Sequence, residues 1–283
     1  MQDVTSRDRI AGLVLARPDR LLGMEPFMAD VVQGIEEYFA GRHCSLLIEF
    51  TADVAGEIEI WRRWVAGEYV DGIVMVDLRS NDPRLAELER LRTPSVLLGG
   101  PESQAPITNV LVDNAEGARA AVRALADLGH RQIARVSGPR DMMHCQARDV
   151  AFIETCAQRD VDGQLIEGDY SEDSGREATR QLLTGDRIPS AVVYDNDLMA
   201  IGGLTVAKEL DVTVPDDLSI IAWDDTAVAR LAHPPLSVVT VDVHGLGTIV
   251  GEAILAAMDG ADVTTYHVPK PTIRLAQSTV SRK

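Results

Sequence analysis

The chain has 283 residues, a formal net charge of −17, and 46% hydrophobic but only 4% aromatic residues. That length is one large domain or two ordinary ones, with enough apolar content for full cores. A chain this acidic lacks the basic face that phosphate contact requires, so these residues do not read as a nucleic-acid binder on their own.

In chain order, IAGLVLA (10–16) reads as a buried strand, followed by a helix over 27–40 that Gly41 ends. SLLIEF (45–50) is the second strand, and the helix around 58–66 carries Trp61 and Trp64. Asp71-Gly72 turns into IVMVD, a strand ending at Asp77. Pro83 opens a short helix over 85–91, SVLLG (95–99) is a strand, and ITNVLVDN gives one ending at Asp113. A strong helix over 115–128 closes at Gly129. There the pattern restarts: strand 133–138, helix 146–158, strand 164–169, helix 174–183, strand 191–194, helix 198–210 and strand 219–223. HPPLSVVTVDV is a strand entered through prolines, 246–258 is a helix, and the proline-containing end is extended.

The alternation predicts an α/β fold with parallel sheets and helices on both faces. There are too many strands for one open sheet. The reading is two Rossmann-like parallel-sheet subdomains with three crossovers, near His130, 240–242 and Lys270. That assigns 9–130 plus 242–269 to one subdomain and 131–241 plus 270–283 to the other, with a cleft between them.

The chemistry sits where two adjacent strands end. AVVY (191–194) runs into Asp195-Asn196-Asp197, and SIIAW (219–223) into Asp224-Asp225. Open α/β sheets bind ligands beyond the carboxyl ends of their strands. An amide donates and accepts, and a carboxylate accepts twice, which suits a hydroxyl-rich small molecule. Asp197 is expected to N-cap the next helix, and Asn196 and Asp224 to contact the ligand.

VDNAEGARAAVRALADLGHRQIARVSGP, Arg148 with Phe152 four residues on, AVVYDNDLMAIGGL, VPDDLSIIAWDDT and HPPLSVVTVD together resemble the effector-binding core of the lactose-repressor/galactose-repressor family. The resemblance runs from about Arg9 to Thr279. It implies a type I periplasmic-binding-protein-like fold. It also implies a transcriptional regulator, most often a repressor, that senses a small sugar or sugar derivative in the interlobe cleft and thereby alters its grip on operator DNA. Arg148, Asn196 and Asp224 are the implied polar contacts. The end of the first strand, Arg17 to Asp19, matches a contact region, although the family often has small polar residues where Arg17 stands. Phe27 either stacks on a sugar face or packs in the core. Asp77 and Asp113 face the cleft or cap helices. Trp223 walls the pocket or points to the other face of the sheet, because neighbours in a strand alternate. Met142 and His144 fall in a loop that varies with the ligand. Near the end, Leu275-Ala276-Gln277-Ser278-Thr279 departs from the family's arginine before a Ser-Thr pair.

The family is dimeric, which implies a homodimer paired through apolar helices of the first half, including 246–258. Its N-terminal helix-turn-helix has no counterpart here, since Arg9 already begins the core. Operator contact is therefore expected only through a headpiece outside these residues.

No apolar stretch reaches a membrane span, and the start MQDVTSRDRI has no secretory core. Cys44, Cys145 and Cys156 have no paired spacing and read as reduced thiols of a cytoplasmic protein. An enzyme is not expected: there is no P-loop, no GxSxG elbow and no nucleophile–base set. The glycines of His244-Gly245-Leu246-Gly247 read as helix packing rather than a dinucleotide loop. His43-Cys44 and His144-Cys145 lack metal-ligand spacing. No cofactor or metal is predicted. The alternative function is a solute-binding protein for a sugar transporter, which the absent signal peptide and the three thiols oppose.

Overall fold

The computed structural model describes residues 8–16, 26–101 and 107–282; Arg17 lies outside them. The chain divides into two units, Met1–Val112 with Asp242–Val268 and Asp113–Val241 with Pro269–Lys283.

Unit 1 contains β1 (Arg9–Ala16), α1 (Pro26–Phe39), β2 (Cys44–Thr51), α2 (Val54–Ala66), β3 (Gly72–Met75), α3 (Pro83–Leu91), β4 (Ser95–Leu98) and β5 (Thr108–Leu111). The chain later returns to it with α9 (Val243–Met258) and β11 (Thr265–His267). Its sheet has the order β11-β5-β4-β3-β1-β2, with every pairing parallel. Ala11, Leu13 and Leu15 of β1 share one core with Met28, Val31 and Ile35 of α1 and Leu246, Val250 and Ile254 of α9. The two helices lie unusually close. A Cβ on Gly34 would fall 2.2 Å from the His244 carbonyl oxygen, and one on Gly247 2.2 Å from that of Val31. The glycine face of the helix expected to pair two chains is therefore closed within the unit, against α1.

Unit 2 contains α4 (Asn114–Asp127), β6 (Gln132–Ser137), α5 (Met143–Gln158), β7 (Asp162–Glu167), α6 (Glu172–Thr184) and β8 (Ala191–Tyr194). It continues with α7 (Asp197–Glu209), β9 (Ser219–Trp223), a short α8 (Ala227–Leu231), β10 (Ser237–Thr240) and β12 (Thr272–Arg274). The sheet order is β12-β10-β9-β8-β6-β7. Alternation along its strands builds two cores. Ile133, Ala191, Val193, Ile221 and Trp223 face α4 and α5, while Ala134, Val136, Val192, Tyr194, Ile220 and Ala222 face α6 and α7.

Two expectations are corrected. The first boundary falls after Val112 and not near His130, because α4 packs on α5, β10 and β12. The later boundary is after Val268 rather than at 269. Second, the sheets are not wholly parallel: β12 runs antiparallel to β10, pairing Val239 with Ile273. In both units the order reverses between the first strand and the third, at β1/β3 and at β6/β8. Such reversals are where open α/β sheets leave a crevice at their carboxyl ends.

The last residues are laced to unit 2. Ser278 Oγ donates to the Ile220 carbonyl (2.6 Å) and accepts the Ser237 N–H (2.7 Å). His130 is buried, with Nδ1 2.9 Å from Ser190 Oγ and Nε2 3.2 Å from the Val280 carbonyl oxygen. Burial holds its imidazole below the ordinary value of 6.5. The unfolded chain therefore takes up a proton that the folded chain refuses. This contribution to stability is present above 6.5 and is lost as pH falls below it towards the folded value. We predict that urea denaturation between pH 7.5 and 5 shows a steeper acid loss for the native chain than for His130→Asn; parallel curves would refute the linkage.

Candidate functional site

The site in unit 2 is built on a buried ion pair. Arg135 stands in the middle of the apolar strand β6 and is fully buried. Its Nε donates to Asp195 Oδ1 (2.9 Å) and its Nη2 to Asp195 Oδ2 (2.6 Å), while Nη1 reaches Asp149 on α5. Asp195 follows β8 and also accepts the Gly138 N–H at 3.2 Å. Burial alone would raise its pKa, but Arg135 and Arg148 overcome that and hold the carboxyl below the ordinary carboxylate value. Asp195 is therefore committed to the scaffold and does not present its carboxylate to a ligand, as its place at the strand end had suggested.

Arg148 projects from α5 and lies 3.5 Å, through Nη1, from Asp195 Oδ2. Its Nε and Nη2 donate to Asn114 Oδ1 at 2.9 and 2.7 Å, and its guanidinium carbon sits 3.7 Å from the Trp223 ring centroid. It is 8% exposed, so it is no surface ion pair. Trp223 is buried towards α4, where a Cβ on Gly117 would fall 2.7 Å from the indole. This settles its orientation: Trp223 points to the α4/α5 face and carries Arg148.

Asp224, next in sequence, is 8% exposed. Its φ is 71°, a left-handed conformation that Asp tolerates better than most residues. Its N–H donates to the Val239 carbonyl at 3.0 Å, fixing the turn to β10. Asp225 is held by Arg230 and Arg274, at 2.9 and 2.8 Å.

The capping expectation is reversed between neighbours. Asn196, not Asp197, is the N-cap of α7. Its Oδ1 accepts the Met199 N–H (2.9 Å), and its Nδ2 donates to the Tyr170 carbonyl (2.8 Å). An amide has two N–H donors, so these bonds do not exhaust it. Asp197 lies inside the helix and accepts the hydroxyl of Thr226, itself the N-cap of α8; burial raises its pKa. The Tyr170 hydroxyl lies 2.6 Å from His144 Nε2 and 3.0 Å from Cys145 Sγ. Burial, with Asp195 nearby, pushes the Cys145 thiol up to about 12, which keeps it an unreactive thiol.

The unit therefore groups Arg148, Trp223 and Asp224, and links Asn196 to His144 through Tyr170. In unit 1, Phe27 is half-buried in the first turn of α1 and packs on that unit's core. Asp77 follows β3 with a φ of 55°, and its carbonyl accepts Arg84 Nη2 at 2.7 Å. Asp113 caps α4, its Oδ1 accepting the Glu116 N–H at 2.9 Å. The residues sequence reasoning missed are Arg135, Asn114 and Tyr170. For Arg135 the signal was present, a lone charge inside an otherwise apolar strand.

Removing one partner of a buried ion pair leaves the other uncompensated, at a cost of about 3–5 kcal/mol. We predict a loss of that size for Arg135→Met in urea denaturation, and recovery of only part of it in the Arg135→Met/Asp195→Leu double variant, because Asp149 and Arg148 then lose their partner. Equal stabilities of the single variant and the native chain would refute it.

Among the described residues no helix is long and apolar enough to cross a membrane. Residues 122–279 match the family described as periplasmic binding protein-like domain. The HTH-type transcriptional regulator CelR of Thermobifida fusca is 32% identical over 266 residues, covering 91% of this chain and 77% of the relative. Catabolite control protein A of Priestia megaterium is 29% identical over 259 residues, covering 89% and 78%. Among solved structures, a LacI family transcriptional regulator from Bifidobacterium animalis subsp. lactis superposes with a TM-score of 0.89 at 32% identity, over 98% of this chain and 100% of the other. A CelR–cellobiose complex superposes with a TM-score of 0.86 at 27% identity, over 96% and 86%. With the fold, these likenesses place the chain in the LacI family of transcriptional regulators, as a member carrying its periplasmic binding protein-like domain.

Proposed function

We propose that the chain is the effector-sensing domain of a transcriptional repressor and that its effector is a small sugar or sugar derivative. Arg148, Asn196 and Asp224 are its polar contacts in unit 2. Trp223 acts by presenting Arg148, and His144 tunes the wall through Tyr170. Phe27, Asp77 and Arg17 contribute from unit 1. The effector binds one of two conformations better and so shifts the DNA affinity of the longer protein, with the reciprocal coupling linkage requires.

One observation carries the reading: the Arg148 guanidinium stacks on Trp223, the residue that precedes Asp224 in the chain. A fork of N–H donors on α5 and a carboxylate at the end of β9 meet the alternating donor and acceptor demands of a polyol. The neighbour solved with cellobiose supports a sugar over other small molecules.

Hydrogen bonds to charged groups contribute about 1.5–3 kcal/mol, or about 10- to 100-fold in affinity. Calorimetry with cellobiose, then with a panel of mono- and disaccharides, is expected to find a ligand. Arg148→Ala and Asp224→Ala should each weaken it about tenfold or more. Unchanged affinity in both variants sinks the assignment. Two copies are further proposed to pair. Sedimentation velocity should then show a species of twice the 30.7 kDa chain mass, and a lone monomer at micromolar concentration would remove the dimer.

A further inference from the structure

Unit 1 holds a second buried ionic cluster, and it has one acceptor too many. Glu57 lies near the start of α2 and is completely buried. Arg84, at the start of α3, is 2% exposed. Its Nε lies 3.0 Å from Asp82 Oδ1. Its Nη1 donates to Glu57 Oε2 (2.8 Å) and the Val76 carbonyl (3.1 Å), and its Nη2 to Asp82 Oδ2 and the Asp77 carbonyl (both 2.7 Å). A guanidinium has five N–H donors, and all five are now engaged. Glu57 Oε1 is buried and, among the described residues, has no hydrogen-bond partner.

A buried acceptor without a donor is costly unless something supplies the hydrogen. The same carboxyl group lines a small cavity with Val14, Ala16, Val54, Val76, Asp77 and Arg79. Of these, Val14 and Ala16 lie at the carboxyl end of β1 and Val76 and Asp77 just beyond that of β3, where the strand order of unit 1 reverses. The walls contributed by β1 and α2 are apolar apart from Glu57. The charged groups facing it are Arg84 and Asp82 at the start of α3 and Asp77 and Arg79 in the preceding loop. One guanidinium is thus shared by two carboxylates.

We infer that Glu57 Oε1 is a ligand anchor, accepting a hydrogen from a hydroxyl or ammonium group of a small polar ligand at the strand ends of unit 1. The inference rests on the reading that the chain binds a sugar-like effector. Burial pushes the Glu57 carboxyl up to about 7, partly offset by Arg84 and reinforced by Asp77 and Asp82. The ligand's donor and the proton then compete for the same lone pair.

The test is calorimetry on the purified chain with D-glucose, D-glucosamine and cellobiose at pH 6, 7 and 8. For competition with a proton at a site titrating near 7, the bound probe is expected about tenfold weaker at pH 6 than at pH 8. Glucosamine binding tighter than glucose identifies an ammonium donor; equal binding identifies a hydroxyl. Glu57→Gln, which keeps an oxygen for Arg84, should weaken binding about tenfold and flatten the pH profile. Val54→Met, which fills the cavity and leaves the partners of Arg84 in place, should weaken it similarly. Native melting temperatures would show that both variants fold. If Glu57→Gln binds as the native chain does while Asp224→Asn does not, the anchor is overturned and the sensing function stands. If Glu57→Gln and Val54→Met both bind as the native chain does, the anchor falls alone; if none of the three probes binds the native chain, the anchor and the sugar-sensing reading fall together.

Discussion

The geometry of unit 2 depends on the contact between Arg135 and Asp195. Two opposite charges removed from water gain little net stability over a well-packed apolar pair. What the pair supplies is direction. The bidentate fork fixes the plane of the Asp195 carboxylate. That carboxylate fixes the loop after β6 through the Gly138 N–H and one end of Arg148. Arg148 is then held from three sides, by Asp195, Asn114 and the Trp223 ring. A donor fork held in this way needs little reorganisation to meet a ligand, and preorganisation of that kind lowers the entropic cost of binding.

The two units solve a similar problem by different routes. In unit 2 the organising cation comes from the strand beside the reversal in strand order, as Arg135 of β6. In unit 1 it comes from the helix after it, as Arg84 of α3. Each arginine engages two carboxylates and orders the loop at the end of a strand next to the reversal. The difference lies in the balance of donors. Gly138 and Arg148 add donors to Asp195, whereas the second oxygen of Glu57 meets none among the described residues.

Strands and helices were legible because the cores of both units follow simple periods. AVVY and SIIAW are β-branched and bounded by turns, and alternation alone sends Trp223 to the opposite face from Ala222. The family was legible from its combination of motifs. The boundary at Val112 was not. The glycine that ends α4 looks like the close of a unit, but it is the face of α4 turned to α5 that assigns the helix, and that is a tertiary fact. The exchange of roles between Asn196 and Asp197 has the same character. Both residues cap helices well, and the choice was made by Tyr170 and Thr226, which are distant in sequence. Nor does an extended stretch reveal the direction in which it pairs, so the antiparallel β12 required the structure.

Gly117 has a consequence for how such a sensor diversifies. It lies under the indole that carries Arg148, on a helix whose own side chains need never meet an effector. Even a methyl group there would collide with the ring and tilt the guanidinium above it. The pose of Arg148 is thus adjustable from behind, by the bulk of one residue in α4, while Arg148, Trp223 and Asp195 keep their identities.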